Sequence, residues 1–359
     1  HDLVYCVTPE AGRDATAEEA PYATWWFNGL GSPTAAEIGG PLLQKAGIRK
    51  TSIRPLSAED NAKYGCTSEG FIYAPKEHQF DAKTGKFKGG KIKRDGKMVE
   101  VDGEELVVSQ MKAEIAKKPF VDHIMVWHES APWCGGIPEE ILGLAVPTND
   151  VARDRRVGAY INEIGRICRK HFPHLKIQIG NTNSSIGAPT VSLRGGANPD
   201  YIDQIGMEIP SQTIPPERLF DFGLLGQNIT KAVAKKLSGR DIPTAGCYEF
   251  TYRPERDMGA GGEEVQARYH ARDLLVSLMN DYRLIAPGTF FDCRHSYCNS
   301  VYGQSGILHR SPYVYPKKAY QAYAVVTKVM DGVKFVREIP TGSATVYASE
   351  FLRKDGRYA

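Results

Sequence analysis

The sequence lacks the features that mark membrane-spanning, nucleic-acid-binding and zinc-binding chains. No window holds the run of about 18 apolar residues that a membrane helix needs. Its 45 Lys and Arg nearly balance its 42 Asp and Glu, and a net charge of +3 gives no electrostatic basis for binding nucleic acid or a membrane. The seven cysteines are scattered without a CxxC pair, so they indicate neither a zinc site nor a disulfide framework.

The start of the chain and the cysteines bear on processing and cellular context. The first residues, His1, Asp2 and Leu3, supply neither an initiator Met nor a signal peptide, so we expect a processed or excised chain. Cys293 and Cys298 are a candidate disulfide if the chain is secreted. We expect most of the cysteines to be buried free thiols that behave as small hydrophobic residues.

The amino-acid composition is that of a globular protein rich in loops. Hydrophobic residues make up 42% of the 359 positions and charged residues 24%, with 36 Gly and 22 Pro. A chain of this length and composition can bury a sizeable core, in one large domain or two.

From Trp25 onward, short apolar runs alternate with amphipathic stretches, as expected when helices cover parallel strands. The predicted strands occupy residues 22–28, 49–54, 70–73, 123–127, 176–179, 204–207, 243–248 and 288–291, and the predicted helices occupy 35–46, 104–117, 155–170, 225–237 and 263–280. Eight strands in this alternation predict an α/β fold, a (β/α)8 TIM barrel over residues 22–331. A doubly wound open sheet would produce a similar pattern.

Two segments fall outside the repeat. Turn residues between positions 80 and 101 predict a β-hairpin inserted in the third βα loop. Its lysines are interpreted as a solvated edge in preference to a patch for anionic sugars. Strand-forming residues from 333 onward predict a β-rich tail, the start of a C-terminal module over 332–359, and residues 1–21 are interpreted as a lead-in related to such a module.

Two acidic residues follow predicted strands where a barrel places its reacting groups. Glu129 follows the fourth strand and Glu249 follows the seventh, each with aromatic residues nearby. Hydrolysis of a glycosidic bond needs one carboxylic acid to protonate the leaving oxygen and one carboxylate to attack or to activate water. A single Glu at such a position more often caps a helix or pairs with Arg, but two together favour a catalytic pair.

This placement resembles clan A of the glycoside hydrolases, retaining enzymes built on a (β/α)8 barrel. The resemblance implies that Glu129 is the acid/base and Glu249 the nucleophile, with Arg54 holding the nucleophile ionised. His128 stands where the clan usually has an Asn that binds the sugar 2-hydroxyl, which is a departure from the pattern. Glu208, after the sixth strand, is the rival for the second carboxylate and otherwise an auxiliary substrate contact.

Further residues near the strand ends are of types that bind sugars, aromatic rings for stacking and amides or Arg for hydroxyl groups. Because Trp25 and Trp26 are adjacent, they point to opposite faces of a strand, and one of them belongs to the core. The predicted contacts are Trp25, Trp26, Asn28, Trp133, Asn181, Asn183, Tyr252, Arg253, His295 and Tyr297.

The leading hypothesis is a retaining glycoside hydrolase acting on β-glycosidic bonds of a poly- or oligosaccharide, without metal or organic cofactor and without a nucleic-acid or membrane partner. A non-catalytic carbohydrate-binding barrel is the alternative that the His128 departure favours. A metal-dependent hydrolase would need clustered ligands, whereas His123, His128 and His295 are scattered. Because enzymes that act on polysaccharides usually work outside the cytoplasm, we expect an extracellular or periplasmic location. The sequence does not indicate an oligomeric state.

Overall fold

A computed structural model describes residues 23–25, 35–52, 56–75, 79–118, 120–126, 151–182, 187–207, 215–218, 229–247, 262–285, 290–292, 306–309 and 314–359. In chain order the strands are β1 (Ala23–Trp25), β2 (Lys50–Ser52), β3 (Thr67–Tyr73), β4 (Phe80–Asp81), β5 (Lys86–Phe87), β6 (Gly90–Arg94), β7 (Lys97–Val101), β8 (Val121–Met125), β9 (Lys176–Thr182), β10 (Gln204–Met207), β11 (Thr244–Cys247), β12 (Lys334–Ile339) and β13 (Ala348–Leu352). The helices are α1 (Ala35–Lys45), α2 (Ala58–Tyr64), α3 (Gly103–Lys117), α4 (Val151–His171), α5 (Gly187–Arg194), α6 (Ile229–Ser238), α7 (Glu263–Met279) and α8 (Lys318–Val329).

The chain forms two compact units. The first unit comprises His1–Ser68, Ile209–Gln227 and Gly246–Ala359, and the second comprises Glu69–Glu208 and Asn228–Ala245. Each unit is therefore assembled from segments that are distant in sequence.

A parallel sheet forms the centre of the second unit. Strands β3, β8, β9 and β10 pair in that order and in parallel, and β11 lies beside β10. Successive side chains of a strand point to opposite faces of the sheet. On one face, Ile124, Ile177 and Ile205 are buried in a core that also contains residues of the helices. The opposite face carries buried polar residues such as Gln178 and Gln204.

Close glycine contacts fix how the helices of the second unit pack. A Cβ on Gly158 of α4 would collide with the carbonyl oxygen of Gly195, which directly follows α5, and a Cβ on Gly195 would collide with the carbonyl of Asp154. Arg194 at the end of α5 also donates to the Asp154 carboxylate. The two helices therefore approach as closely as their backbones allow.

The segment between Phe80 and Val101 contains two short antiparallel pairs, β4 with β5 and β6 with β7. Asp81 closes the first turn by accepting from the Lys83 N–H at 2.9 Å, and this hydrogen bond lowers the pKa of its carboxyl. Asp95 and Gly96 form the second turn with φ values of 49° and 80°, a combination typical of tight hairpins.

The first unit contains helices α1, α7 and α8 and the parallel pair of strands β1 and β2. Helices α7 and α8 pack against each other. Tyr320 and Thr327 of α8 donate to the backbone carbonyls of Leu42 and Ala46 in and just after α1. The C-terminal strands β12 and β13 pair in antiparallel fashion, in the segment whose strand-forming residues predict β structure. Residues 344–347, which also have strand-forming character, lie between these two strands.

Several sequence predictions are confirmed and others are not. Strand β10 has the predicted bounds, and α3 and α7 differ from prediction by one residue. Helices α2, α5 and α8 were not predicted. At the predicted eighth strand, Phe291 makes only an isolated parallel bridge with Leu308, and residues 286–289 lie outside the described part of the chain. The complete eight-stranded barrel therefore stays a prediction.

Two cysteines match the expectation of buried free thiols. Cys66 and Cys168 are both free and buried. Burial raises the pKa of the Cys66 thiol to about 11 and that of Cys168 to about 12, so both are protonated at neutral pH and inert. Cys293 and Cys298 lie outside the described residues.

Candidate active site

The carboxyl ends of the parallel strands in the second unit lie along one edge of the sheet. Tyr73, the last residue of β3, is paired with Met125, the last residue of β8, and Met125 is paired with Gln178 of β9. Parallel α/β sheets bind their ligands at this edge. The register thus defines the edge at which a site is expected in this unit.

The predicted catalytic residues and Arg54 follow strands of both units in sequence. Glu129 comes four residues after Met125, and Glu208 directly follows Met207 at the end of β10. Glu249 comes two residues after Cys247, which ends β11, and Arg54 comes two residues after Ser52, which ends β2. In sequence, each of the four lies within four residues of the last described residue of a strand, and its role stays a prediction.

Most of the predicted site residues lie outside the described part of the chain. Trp25 is the last residue of β1, and Asn181 is in β9, so for these two the backbone is placed on a strand. The others, which the structure does not describe, are Trp26, Asn28, Arg54, His128, Glu129, Trp133, Asn183, Glu208, Glu249, Tyr252, Arg253, His295 and Tyr297.

Buried polar side chains make contacts within the parallel sheet of the second unit. Gln204 Nε2 donates to Gln178 Oε1 at 2.6 Å, which links β10 to β9. His123 of β8 is fully buried, packs against the Phe71 ring at 5.5 Å and bonds through Nδ1 to Asp122 at 2.7 Å. These contacts give His123 a structural role. Within the described residues, no group of three or more His, Cys, Asp and Glu has the arrangement of a metal site.

In the first unit, a buried ion pair was missed by sequence reasoning. Asp292 directly follows the Phe291 bridge, and Lys317 Nζ donates to its Oδ1 at 2.6 Å. The Gly306 N–H donates to the same oxygen at 3.1 Å, and His309 Nδ1 lies 3.8 Å from the other. These contacts join both ends of the segment 293–305, in which His295 and Tyr297 occur. No local sequence pattern indicates a pair of residues that lie 25 positions apart.

Helix α7 presents a buried polar face in the same unit. Gln266, His270, Asp273 and Ser277 recur at helical spacing and are all buried. Burial lowers the pKa of His270 to about 3, so its ring is neutral at pH 7. Burial, with a contribution from Glu217, raises the pKa of Asp273 well above its usual range. The spacing of these residues was visible in the sequence and could have identified this face.

No family model and no curated protein sequence matches this chain. Solved structures do resemble it. One is a family 39 glycoside hydrolase from the gut symbiont Bacteroides cellulosilyticus WH2, with a TM-score of 0.60 at 14% identity over 96% of this chain and 70% of that one. Another is the family 39 enzyme from Xanthomonas axonopodis pv. citri, with a TM-score of 0.53 at 12% identity over 92% and 69%.

A third similar structure is a family 2 β-galacturonidase from Eisenbergiella tayi, with a TM-score of 0.51 at 11% identity. The match covers 88% of this chain but about half of that enzyme, 51%. At these identities the likeness shows the fold alone, an α/β fold with a parallel-strand half-barrel sheet. Within the described residues, no helix combines the length and the apolar character needed to span a bilayer.

Proposed function

We propose that the chain is a retaining glycoside hydrolase that cleaves β-glycosidic bonds in a poly- or oligosaccharide. The observation that carries the proposal is the position of Glu129 and Glu249, each within four residues of the carboxyl end of a described strand. The similarity of the fold to solved glycoside hydrolases supports it. The proposal includes the closed (β/α)8 barrel over residues 22–331, an N-terminal lead-in at 1–21, the start of a β-rich C-terminal module at 332–359, and an extracellular or periplasmic location.

The proposed reaction is a double displacement. Glu129 protonates the glycosidic oxygen while the Glu249 carboxylate attacks the anomeric carbon, and the leaving sugar departs as an alcohol. Glu129 then takes a proton from a water molecule, which attacks the same carbon and releases Glu249. In this scheme Arg54 keeps Glu249 ionised, since a guanidinium is permanently charged. His128 donates to the sugar 2-hydroxyl, and Glu208 contacts the substrate.

The test is turnover of a polysaccharide panel by the protein and by two variants. Glu249→Ala should abolish turnover, and Glu129→Ala should lower kcat by about 10² to 10⁴-fold on substrates with poor leaving groups. On an aryl glycoside whose leaving group departs without protonation, azide should restore activity to both variants, giving an inverted glycosyl azide with Glu249→Ala and a retained one with Glu129→Ala. Proton NMR of the first product should show the anomeric configuration of the substrate.

Other outcomes assign the chain differently. Carbohydrate binding without turnover would support the non-catalytic barrel. Loss of turnover with a chelator would support the metal-dependent hydrolase. Full activity of Glu249→Ala together with an inactive Glu208→Ala would make Glu208 the second carboxylate. Carboxyl groups of Glu129 and Glu249 separated by about 6.5 to 9.5 Å, instead of about 5 to 5.5 Å, would indicate inversion.

A further inference from the structure

A cavity of about 530 Å³ lies in the second unit between the end of β3 and the last turns of α3. The volume falls within the range of about 300 to 1,000 Å³ that is common for pockets binding small ligands. Much of its lining is apolar. Ala74 and Met111 are buried residues of the wall, and Pro75 and Ala113 add further apolar atoms beside Gln79. This part of the lining favours a ligand with an apolar body.

Three charged side chains from the end of α3 line the same cavity. Lys117 Nζ donates to the Glu114 carboxylate at 2.6 Å, and this hydrogen bond lowers the pKa of Glu114. Glu114 is therefore ionised at neutral pH and balances the charge of Lys117. The third side chain, Lys118, forms no ion pair with a carboxylate in the described part of the chain. One positive charge at the cavity thus stays unbalanced.

The ammonium group of Lys118 is held in place by its neighbours. Its Nζ lies 5.5 Å from the centroid of the Phe71 ring and 5.8 Å from that of the Tyr73 ring, and it donates to the Phe71 carbonyl at 3.1 Å. An ammonium group has three N–H donors, and this hydrogen bond uses one of them. A side chain that is positioned before a ligand arrives loses less conformational entropy when the ligand binds.

The apolar wall and the unbalanced charge together favour a ligand that is apolar over most of its surface and carries one negative charge. We propose that the cavity binds a small carboxylate with an apolar body. Its carboxylate pairs with Lys118 Nζ, and its body packs against Ala74 and Met111. None of these residues belongs to the proposed catalytic set, and the inference does not depend on the proposed glycoside hydrolase activity.

The test is titration of the full-length protein, followed by NMR, with benzoate, benzyl alcohol and acetate. Benzoate should bind most tightly, because benzyl alcohol lacks the charge and acetate lacks the apolar body. Lys118→Met should weaken benzoate binding by about fivefold, as expected for an exposed ion pair, and should not weaken benzyl alcohol binding. Lys112→Met is the matched control, because Lys112 is also exposed on α3 but does not line the cavity.

A second pair of variants leaves Lys118 and its contacts unchanged. Ala113 and Ala116 are both exposed on α3, but only Ala113 lines the cavity. Ala113→Glu places a second negative charge beside the ligand carboxylate and should weaken benzoate binding, whereas Ala116→Glu should have little effect. Circular dichroism checks folding, and this pair decides the question if Lys118→Met does not fold.

Three results would overturn the proposal. They are the absence of benzoate binding, equal affinities for benzoate and benzyl alcohol, and benzoate binding that neither Lys118→Met nor Ala113→Glu weakens. Hydrolysis of glycans is measured separately, and none of the four variants alters Glu129 or Glu249. Benzoate binding with the expected dependence on Lys118 and Ala113 therefore supports the cavity proposal whether or not the protein hydrolyses a glycan.

Discussion

Asp292 and Lys317 form a buried ion pair in the first unit. The Lys317 side chain is 1% exposed, and Lys317 immediately precedes α8. Burial raises the pKa of Asp292, and the nearby Lys317 and His309 oppose that rise. Removal of one partner from a buried pair leaves an uncompensated charge, which is more damaging than the loss of an exposed pair.

We predict that Lys317→Met lowers the free energy of unfolding by about 3 kcal/mol at pH 7. Without the ammonium group, the pKa of Asp292 rises further. A carboxyl whose pKa is higher in the folded state stabilises the fold below its unfolded value, and this contribution is lost as pH rises through the folded value. The deficit of the variant should therefore be larger at pH 8 than at pH 5. Urea unfolding at the two pH values measures it.

The neighbouring residue supplies the control. Lys318 is paired with Glu264 at 2.9 Å, but both side chains are more than half exposed. Lys318→Met should change the free energy of unfolding by less than about 1 kcal/mol at either pH, because exposed pairs contribute little. Equal losses for the two variants, or a Lys317→Met deficit that does not depend on pH, would contradict the assignment.

At the scale of elements, the segment between Phe80 and Val101 divides into an anchored part and an exposed part. Phe80 and Phe87 pack against Tyr160 of α4, with ring centroids 5.4 and 5.8 Å away, and Lys86 bonds to Glu163 of α4 at 3.0 Å. Strands β6 and β7 leave most of their side chains exposed. The interpretation of the lysines as a solvated edge suits β6 and β7, but Lys86 is an anchor.

We predict that Phe87→Ala and Met98→Ala separate these two parts. Phe87 is buried, and its truncation should cost about 3 to 5 kcal/mol through lost packing and the cavity that remains. Met98 in β7 is 62% exposed, and its truncation should change the free energy of unfolding by less than about 0.5 kcal/mol. Chemical denaturation compares them. Similar small losses would mean that β4 and β5 do not pack on α4.

The success of the sequence predictions follows the strength of each local pattern. Helices α3 and α7 have apolar positions at helical spacing, and β10 is a short apolar run after the turn at Asn198. Helix α2 has only seven residues and was missed, although Ser57 caps it by accepting from the Asp60 N–H. Helix α5 carries Pro189 within its first turn, a residue usually interpreted as a breaker in a short segment.

The candidate site was less accessible to prediction than the elements. Strand ends could be located from apolar runs, which is why Glu129 and Glu249 were selected. The Asp292 and Lys317 pair, and the approach of Gln79 to α3, depend on contacts between segments that no local pattern encodes. The chemical properties of these side chains depend on whether they are buried. Burial depends on how the whole chain packs, so it could not be predicted from the local sequence.

At the scale of the whole molecule, the two units are interleaved along the chain. The chain passes from one unit to the other after residues 68, 208, 227 and 245. Strand β3 begins in the first unit at Thr67 and continues through Tyr73 in the second, and β11 is divided in the same way after Ala245. Two strands therefore contain residues assigned to both units.

We therefore predict that the full-length protein unfolds in a single calorimetric transition. Its enthalpy should be about 250 kcal/mol near 60 °C, from roughly 0.7 kcal/mol for each residue, and it should equal the van't Hoff enthalpy. Phe87→Ala, a change confined to the second unit, should move the entire transition to lower temperature, since β3 and β11 each contain residues of both units. Two resolved peaks, or a shift of only one part of the heat absorption in Phe87→Ala, would instead mean that each unit unfolds independently despite the strands that they share.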